Sequence, residues 1–158
     1  MSAAIRHSLV VRSCLAIGAL ALVSLPVLAA PGDAVRSRVE GYRELGAAFK
    51  GVNDALRGRE MQTVLLGQYA RQIRNHARNQ YGWFPAGSDA STGVKTKVKA
   101  EVWSRPPEFR AAQDAFARSA EAFQRSVQAG DEAAIRAGAR ALGGTCKGCH
   151  DTFRLPTD

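Results

Sequence analysis

Two cysteines and a histidine near the carboxyl end carry the clearest chemical pattern in this 158-residue chain. Residues 145–150 read Thr-Cys-Lys-Gly-Cys-His, so Cys146, Cys149 and His150 have the spacing Cys-x-x-Cys-His. Two thiols about one helical turn apart can each bond to one haem vinyl group, while the adjacent imidazole reaches the iron. The pattern therefore predicts one covalent haem c per chain, attached through Cys146 and Cys149, with His150 as the axial ligand of the iron.

Three other uses of the cysteine pair are weighed against haem attachment. A redox dithiol is expected in a thioredoxin-like βαβ context, and the chain offers no such context. A zinc site needs more Cys or His ligands than the chain supplies, because His76 is the one further histidine beyond the amino-terminal segment. A disulfide between Cys146 and Cys149 is the simplest alternative in an oxidising compartment. Haem attachment is favoured because it gives every residue of the motif a task.

The amino-terminal segment has the layout of a secretory signal peptide. Arg6 and Arg12 precede an apolar run over residues 14–25, and small residues follow. The run is shorter than the roughly 20 apolar residues that a membrane span needs. We therefore expect residues 1–29 to be removed, residues 30–158 to form the mature domain in the periplasm, and no stable membrane insertion. Cleavage after Ala30 and an uncleaved anchor are the alternatives.

The chain is basic, with 22 Lys and Arg against 14 Asp and Glu and a formal net charge of +8. Loss of Arg6 and Arg12 with the signal peptide lowers this charge by two. Such a charge suits acidic redox partners or anionic surfaces, whereas export argues against nucleic acid as a partner. Residues 30–158 are enough for one domain with its own core.

Apolar residues recur at steps of three and four in four segments, which predicts four amphipathic helices and no strands. Pro106 and Pro107 suit the first turn of the third helix, Gly130 suits its end, and Asp131 caps the fourth. The expected extents are residues 34–57, 61 to about 80, about 106 to 130, and 131 through the haem motif. The haem motif is expected on the inward face of the last helix.

The spacing of these helices indicates how they pack. One long connection, residues 81–103, separates the second helix from the third, and the other links are short. Short links force consecutive helices to lie antiparallel to each other. The sequence therefore predicts an all-α, antiparallel up-down-up-down four-helix bundle with covalently bound haem.

The position of the motif limits the second axial ligand of the iron. Residues 151–158, which follow His150, contain no methionine or histidine. A sixth ligand would have to come from upstream, where Met61 and His76 are the candidates in the mature chain. This shortage favours a vacant sixth site and a five-coordinate, high-spin iron.

The motif and its surroundings resemble the cytochrome c′ family over nearly the whole mature chain. The first helix, the loop before the third helix and the carboxyl-terminal motif carry the resemblance, at residues 38–49, 84–88, 101–103 and 146–154. Residues 58–82 match least well, and Trp83 departs from the family pattern. The resemblance implies a four-helix bundle, in agreement with the periodicity.

The resemblance also implies roles for three residues outside the motif. Arg38 matches an arginine near the haem propionates, Tyr42 matches the position over the vacant distal face, and Arg154 matches a basic residue beside the proximal face. Arg154 is four residues after His150, which would place both on one helical face. Without the resemblance, Arg38 is a solvated surface residue, Tyr42 is core packing, and Arg154 belongs to a frayed terminal turn.

Two classes of function follow. The resemblance implies binding of nitric oxide and carbon monoxide, and a homodimer formed through the first two helices. The alternative is a low-spin electron-transfer cytochrome with a sixth protein ligand, serving periplasmic redox partners. An enzyme is not favoured, because no acid–base pair or second metal site accompanies the motif.

Overall fold

The computed structural model describes residues 30–156, so the predicted signal peptide and its cleavage site lie outside the described residues. Five helices lie within this range, and the third is a single short turn. None of them combines the length and the apolar character needed to cross a bilayer. The helices are α1 (Pro31–Arg57), α2 (Thr63–Asn79), α3 (Glu101–Ser104), α4 (Pro106–Ala129) and α5 (Glu132–Phe153).

The predicted helix ends around the link between α4 and α5 are confirmed. Pro106 lies at the first position of α4, where a missing backbone N–H costs nothing. Gly130 ends α4 in the left-handed conformation, with φ of 75°. The carboxylate of Asp131 then accepts hydrogen bonds from the amides of Ala133 and Ala134, at 2.9 and 3.1 Å, and so caps α5.

The four long helices form the predicted antiparallel bundle. Contacts run in series from α1 to α2, from α2 to α4 and from α4 to α5, whereas α1 and α5 touch only slightly. The main core cluster fills the bundle with apolar side chains from all four helices, including Val52, Ile73, Phe123 and Leu142. The haem motif lies on α5, the helix that packs mainly against α4.

The long connection between α2 and α4 contains three short helical turns. Besides α3 it contains single 3₁₀ turns at Gln80–Gly82 and Ala90–Thr92. Val98 pairs with Arg154 in an isolated antiparallel bridge, which includes a 2.7 Å bond from the amide of Leu155 to the carbonyl of Lys97. The connection is thereby fastened to the segment that follows the haem motif.

Candidate functional site

The three residues of the motif lie on the last two turns of α5. Cys146 and Cys149 are half-buried and unbridged. Burial raises the pKa of both thiols, and the neighbouring charge of Cys146 helps to raise that of Cys149 to about 11. Burial lowers the pKa of His150, and the positive charge of Arg154 lowers it further. A neutral imidazole is the form that can coordinate a metal.

Apolar walls flank the two cysteines. Cys146 packs against the main core cluster. Cys149 packs against a second cluster, in which Phe109 meets Phe84 and Phe153 edge to face, with ring centroids 4.7 and 5.1 Å apart. Such walls suit a large flat apolar ligand held on one face of α5.

Tyr42 lies near the middle of α1. It is half-buried against the same core cluster as Cys146. Burial raises the pKa of the phenol well above its usual range; Cys149 and Cys146 add to the increase and Arg38 opposes it. The phenol therefore stays neutral at physiological pH.

The ring of Tyr42 is backed by Trp83, and Gly41 makes this contact possible. The Tyr42 and Trp83 rings meet edge to face with centroids 4.9 Å apart. A Cβ atom on Gly41 would lie 2.4 Å from Cζ2 of Trp83, closer than real Cβ contacts allow. Gly41 is therefore needed for the indole to reach α1 beside Tyr42.

Gly41→Ala is expected to destabilise the protein by about 1–3 kcal/mol, because the new methyl group overlaps the indole. Gly46→Ala is the matched control on the same helix, since a Cβ atom there meets nothing within 4 Å. The control is expected to be neutral or to stabilise the protein by up to about 1 kcal/mol. Denaturant unfolding measures both changes, and equal stability of the two variants would contradict the packing argument.

Arg38 is not a solvated surface residue, because its exposed fraction is 1%. Its two terminal nitrogens donate to the carbonyl of Trp83 at 3.2 Å, to Oγ and the carbonyl of Ser88 at 3.2 and 2.9 Å, and to Oγ1 of Thr96 at 3.3 Å. The guanidinium also lies over the ring of Phe84, 4.9 Å from its centroid. Burial lowers the pKa of Arg38.

One donor of Arg38 is left over. Its Nε is buried and has no hydrogen-bond partner among residues 30–156, and no carboxylate in that range pairs with the guanidinium. A buried cation without an anionic partner is costly, and a carboxylate supplied by a ligand would remove that cost. With the apolar walls and the two thiols on one helical face, this free donor fits a haem carrying propionates.

The prediction for Arg154 needs one correction. The residue is not on the helical face of His150, because α5 ends at Phe153 and Arg154 has extended backbone angles, φ −120° and ψ 137°. The bridge to Val98 ends the helix there. The positive charge of Arg154 still lies close enough to lower the pKa of His150.

One candidate sixth ligand, Met61, lies at the far end of the bundle, and the other, His76, is paired with a carboxylate on α1. Met61 follows the end of α1, where Arg136 donates to the carbonyl of Leu56 at 2.8 Å. From Arg136 to His150 the helix rises about 21 Å, so Met61 belongs to the opposite end of the bundle. His76 directs Nε2 toward the carboxylate of Glu44, at 3.4 Å.

The family model for cytochrome c′ matches residues 33–154. The chain belongs to the cytochrome c′ family. A cytochrome c′ of Pararhodospirillum photometricum is 34% identical over 127 residues, which cover 80% of this chain and 99% of the relative. The solved cytochrome c′ of Rubrivivax gelatinosus is 29% identical, with a TM-score of 0.72 over 78% of this chain and 96% of that one.

A third relative was solved with a gas bound. It is a variant of the cytochrome c′ of Alcaligenes xylosoxidans in complex with nitric oxide, 22% identical, with a TM-score of 0.74 over 82% of this chain and 99% of that one. Cytochromes c′ carry one covalently attached haem c per chain, so the predicted cofactor is confirmed. The predicted four-helix bundle is confirmed as well.

Sequence reasoning missed three residues around Tyr42: Gly41, Gln80 and Trp83. Gly41 and Trp83 meet only in the folded chain. Gln80 is buried and lies close to the Tyr42 hydroxyl. The family resemblance gave no signal for Gln80, because the match was weakest over residues 58–82. Gly41 could have been noticed, because a glycine within a helix often marks close packing.

Proposed function

We propose that this protein is a periplasmic, non-enzymatic haem protein that binds nitric oxide and carbon monoxide and can carry single electrons. When bound, the haem supplies an iron that takes up diatomic gases and changes charge by one electron. The observation that carries the proposal is the half-buried phenol of Tyr42, which packs against the same core cluster as Cys146 and offers neither a thioether nor an imidazole. Met61 lies at the far end of the bundle and His76 is paired with Glu44, which supports a five-coordinate, high-spin iron.

In this proposal each site residue has a distinct task. Cys146 and Cys149 would hold the haem through thioether bonds, and His150 would coordinate its iron. Arg38 uses its free Nε to bind a propionate, and Arg154 places a positive charge beside His150, which favours the reduced iron. Tyr42 covers the opposite face and restricts what can enter.

Gas binding is favoured over electron transfer as the main role. The nitric oxide complex of the Alcaligenes xylosoxidans relative supports it. Electron carriers usually keep both axial sites filled, which limits reorganisation when the iron changes charge. The basic surface nevertheless suits acidic periplasmic redox partners, so a single-electron exchange belongs to the proposal.

We also propose a homodimer through α1 and α2. Val39, Val64 and Leu65 are large apolar side chains exposed on these two helices, and Val64 is 74% exposed. Exposed apolar groups on adjacent helices are typical of a surface covered by a partner. Export to the periplasm rests on the layout of residues 1–29.

The coordination state is tested by the visible spectrum of the reduced protein. We expect a high-spin, five-coordinate spectrum and direct binding of carbon monoxide, with no prior loss of a protein ligand. Met61→Ala and His76→Ala are expected to leave both unchanged. Sharp low-spin bands that vanish in either variant would refute the vacant site and favour the low-spin electron carrier.

A further inference from the structure

Gln80 is a buried polar residue directly behind the distal tyrosine. It lies in the 3₁₀ turn after α2, with an exposed fraction of 3%. Its side-chain Nε2 donates to the carbonyls of Ala77 and Gln113, at 3.2 and 3.3 Å. These two main-chain acceptors fix the amide, and its Oε1 lies 3.5 Å from the hydroxyl of Tyr42.

The Tyr42 hydroxyl is the one donor to Gln80 Oε1 among residues 30–156. A tyrosine that moved away from the haem face would leave this buried oxygen without a partner. An unpaired buried acceptor costs more free energy than the hydrogen bond gains when it forms. This cost opposes displacement of the Tyr42 ring. Gln80 therefore stabilises the orientation in which the Tyr42 hydroxyl contacts its Oε1 atom.

Trp83 closes another side of the ring. Its indole lies edge to face with Tyr42, 4.9 Å between centroids, and its approach to α1 depends on Gly41. The phenol is therefore restrained at two points, the ring by Trp83 and the hydroxyl by Gln80. A diatomic gas that bound an iron on this face would have to displace a ring restrained in this way.

We propose that Gln80 is a positioning residue that holds Tyr42 over the distal face and thereby lowers the affinity of the reduced protein for diatomic gases. This inference rests on the proposed gas-binding function. Gln80 touches neither the gas nor the haem in this account; it acts through the Tyr42 hydroxyl. Its contribution is measurable as the coupling between changes at positions 42 and 80.

The test is a double-mutant cycle in the haem-loaded protein, with carbon monoxide as the probe. Tyr42→Phe removes the hydroxyl and keeps the ring, and Gln80→Met removes the acceptor at nearly constant volume. Each is expected to raise carbon monoxide affinity about fivefold, as expected for one neutral hydrogen bond. The double variant is expected to show no more than the same fivefold increase, because both changes break one interaction.

Gln113→Met separates positioning from general packing. Gln113 has an exposed fraction of 5%, and its Nε2 donates to the main-chain carbonyl of Gln80 at 3.2 Å. The variant removes that bond but leaves both carbonyls that orient the Gln80 amide. Thermal stability is expected to fall as in Gln80→Met, whereas carbon monoxide affinity is expected to stay within about twofold of the wild type.

The outcomes distinguish this inference from the proposed function. Carbon monoxide binding by the wild type, with a fivefold increase shared by the two variants, supports both. Binding by the wild type with unchanged affinity in Gln80→Met, or with an increase of about 25-fold in the double variant, overturns the role of Gln80 alone. Equal changes of carbon monoxide affinity in Gln80→Met and Gln113→Met also overturn it. A reduced wild type that binds no carbon monoxide refutes the proposed function and this inference together.

Discussion

The variant with both Cys146 and Cys149 changed to serine is expected to lose all its haem to organic solvent after acid denaturation, whereas the wild type keeps its haem bound to the polypeptide. A serine hydroxyl does not replace a thiol in thioether formation with a haem vinyl group. Each single variant keeps one possible bond, so partial retention is expected. Absorption of the protein and solvent fractions measures the outcome.

The neighbouring Thr145 provides a control for this experiment. Its hydroxyl donates to the carbonyl of Leu142 at 2.7 Å, so Thr145→Ser changes the same turn of α5 without touching a thiol. Full retention of haem is expected in that variant. Complete extraction of haem from the wild type would show that Cys146 and Cys149 do not hold it covalently.

The bundle could be predicted from the sequence because its signals are local. The apolar stripes recur at helical spacing, and Pro106, Gly130 and Asp131 mark helix ends through their own backbone and side-chain chemistry. The end of α5 was less predictable. Pro156 is a local sign that the helix stops before it, but the end at Phe153 depends on the pairing of Val98 with Arg154, which are far apart in the chain.

Some residues of the site have a local sequence signal, and others depend on contacts between distant parts of the chain. Cys146, Cys149 and His150 follow from their spacing alone. The burial of Arg38 does not, because all its hydrogen-bond acceptors lie in the connection after α2, between residues 83 and 96. The sequence alone left Arg38 most simply as a surface charge. Long-range packing then makes it a buried cation with one free donor.

The contact between Gly41 and Trp83 also could not be predicted from local sequence signals. Glycine inside a helix costs roughly 1 kcal/mol relative to alanine, so Gly41 weakens α1 when judged locally. The cost becomes understandable only when the indole is in place, since any larger residue would push it away from Tyr42. Helix propensity alone therefore does not explain the residues that pack around Tyr42.

Tyr42→Ala is expected to raise the carbon monoxide affinity of the reduced protein by about tenfold or more, a larger increase than Tyr42→Phe gives. Phenylalanine keeps a ring that still has to be displaced, whereas alanine removes the barrier itself. The change also leaves space beside Trp83 and Phe84, whose rings lie 4.9 and 6.2 Å from that of Tyr42. Carbon monoxide titration of the reduced protein measures the difference.

Val52→Ala distinguishes distal access from loss of core packing. Val52 is fully buried on α1, almost three turns beyond Tyr42, so its truncation leaves a cavity in the bundle core away from the motif. Both alanine variants are expected to lower thermal stability, but only Tyr42→Ala is expected to raise gas affinity. If the two variants bind carbon monoxide equally well, Tyr42 is ordinary core packing and does not limit gas binding. If only Tyr42→Ala binds carbon monoxide more tightly, the phenol of Tyr42 limits the access of the gas to the iron. The ring then controls gas entry without acting as a ligand of the iron.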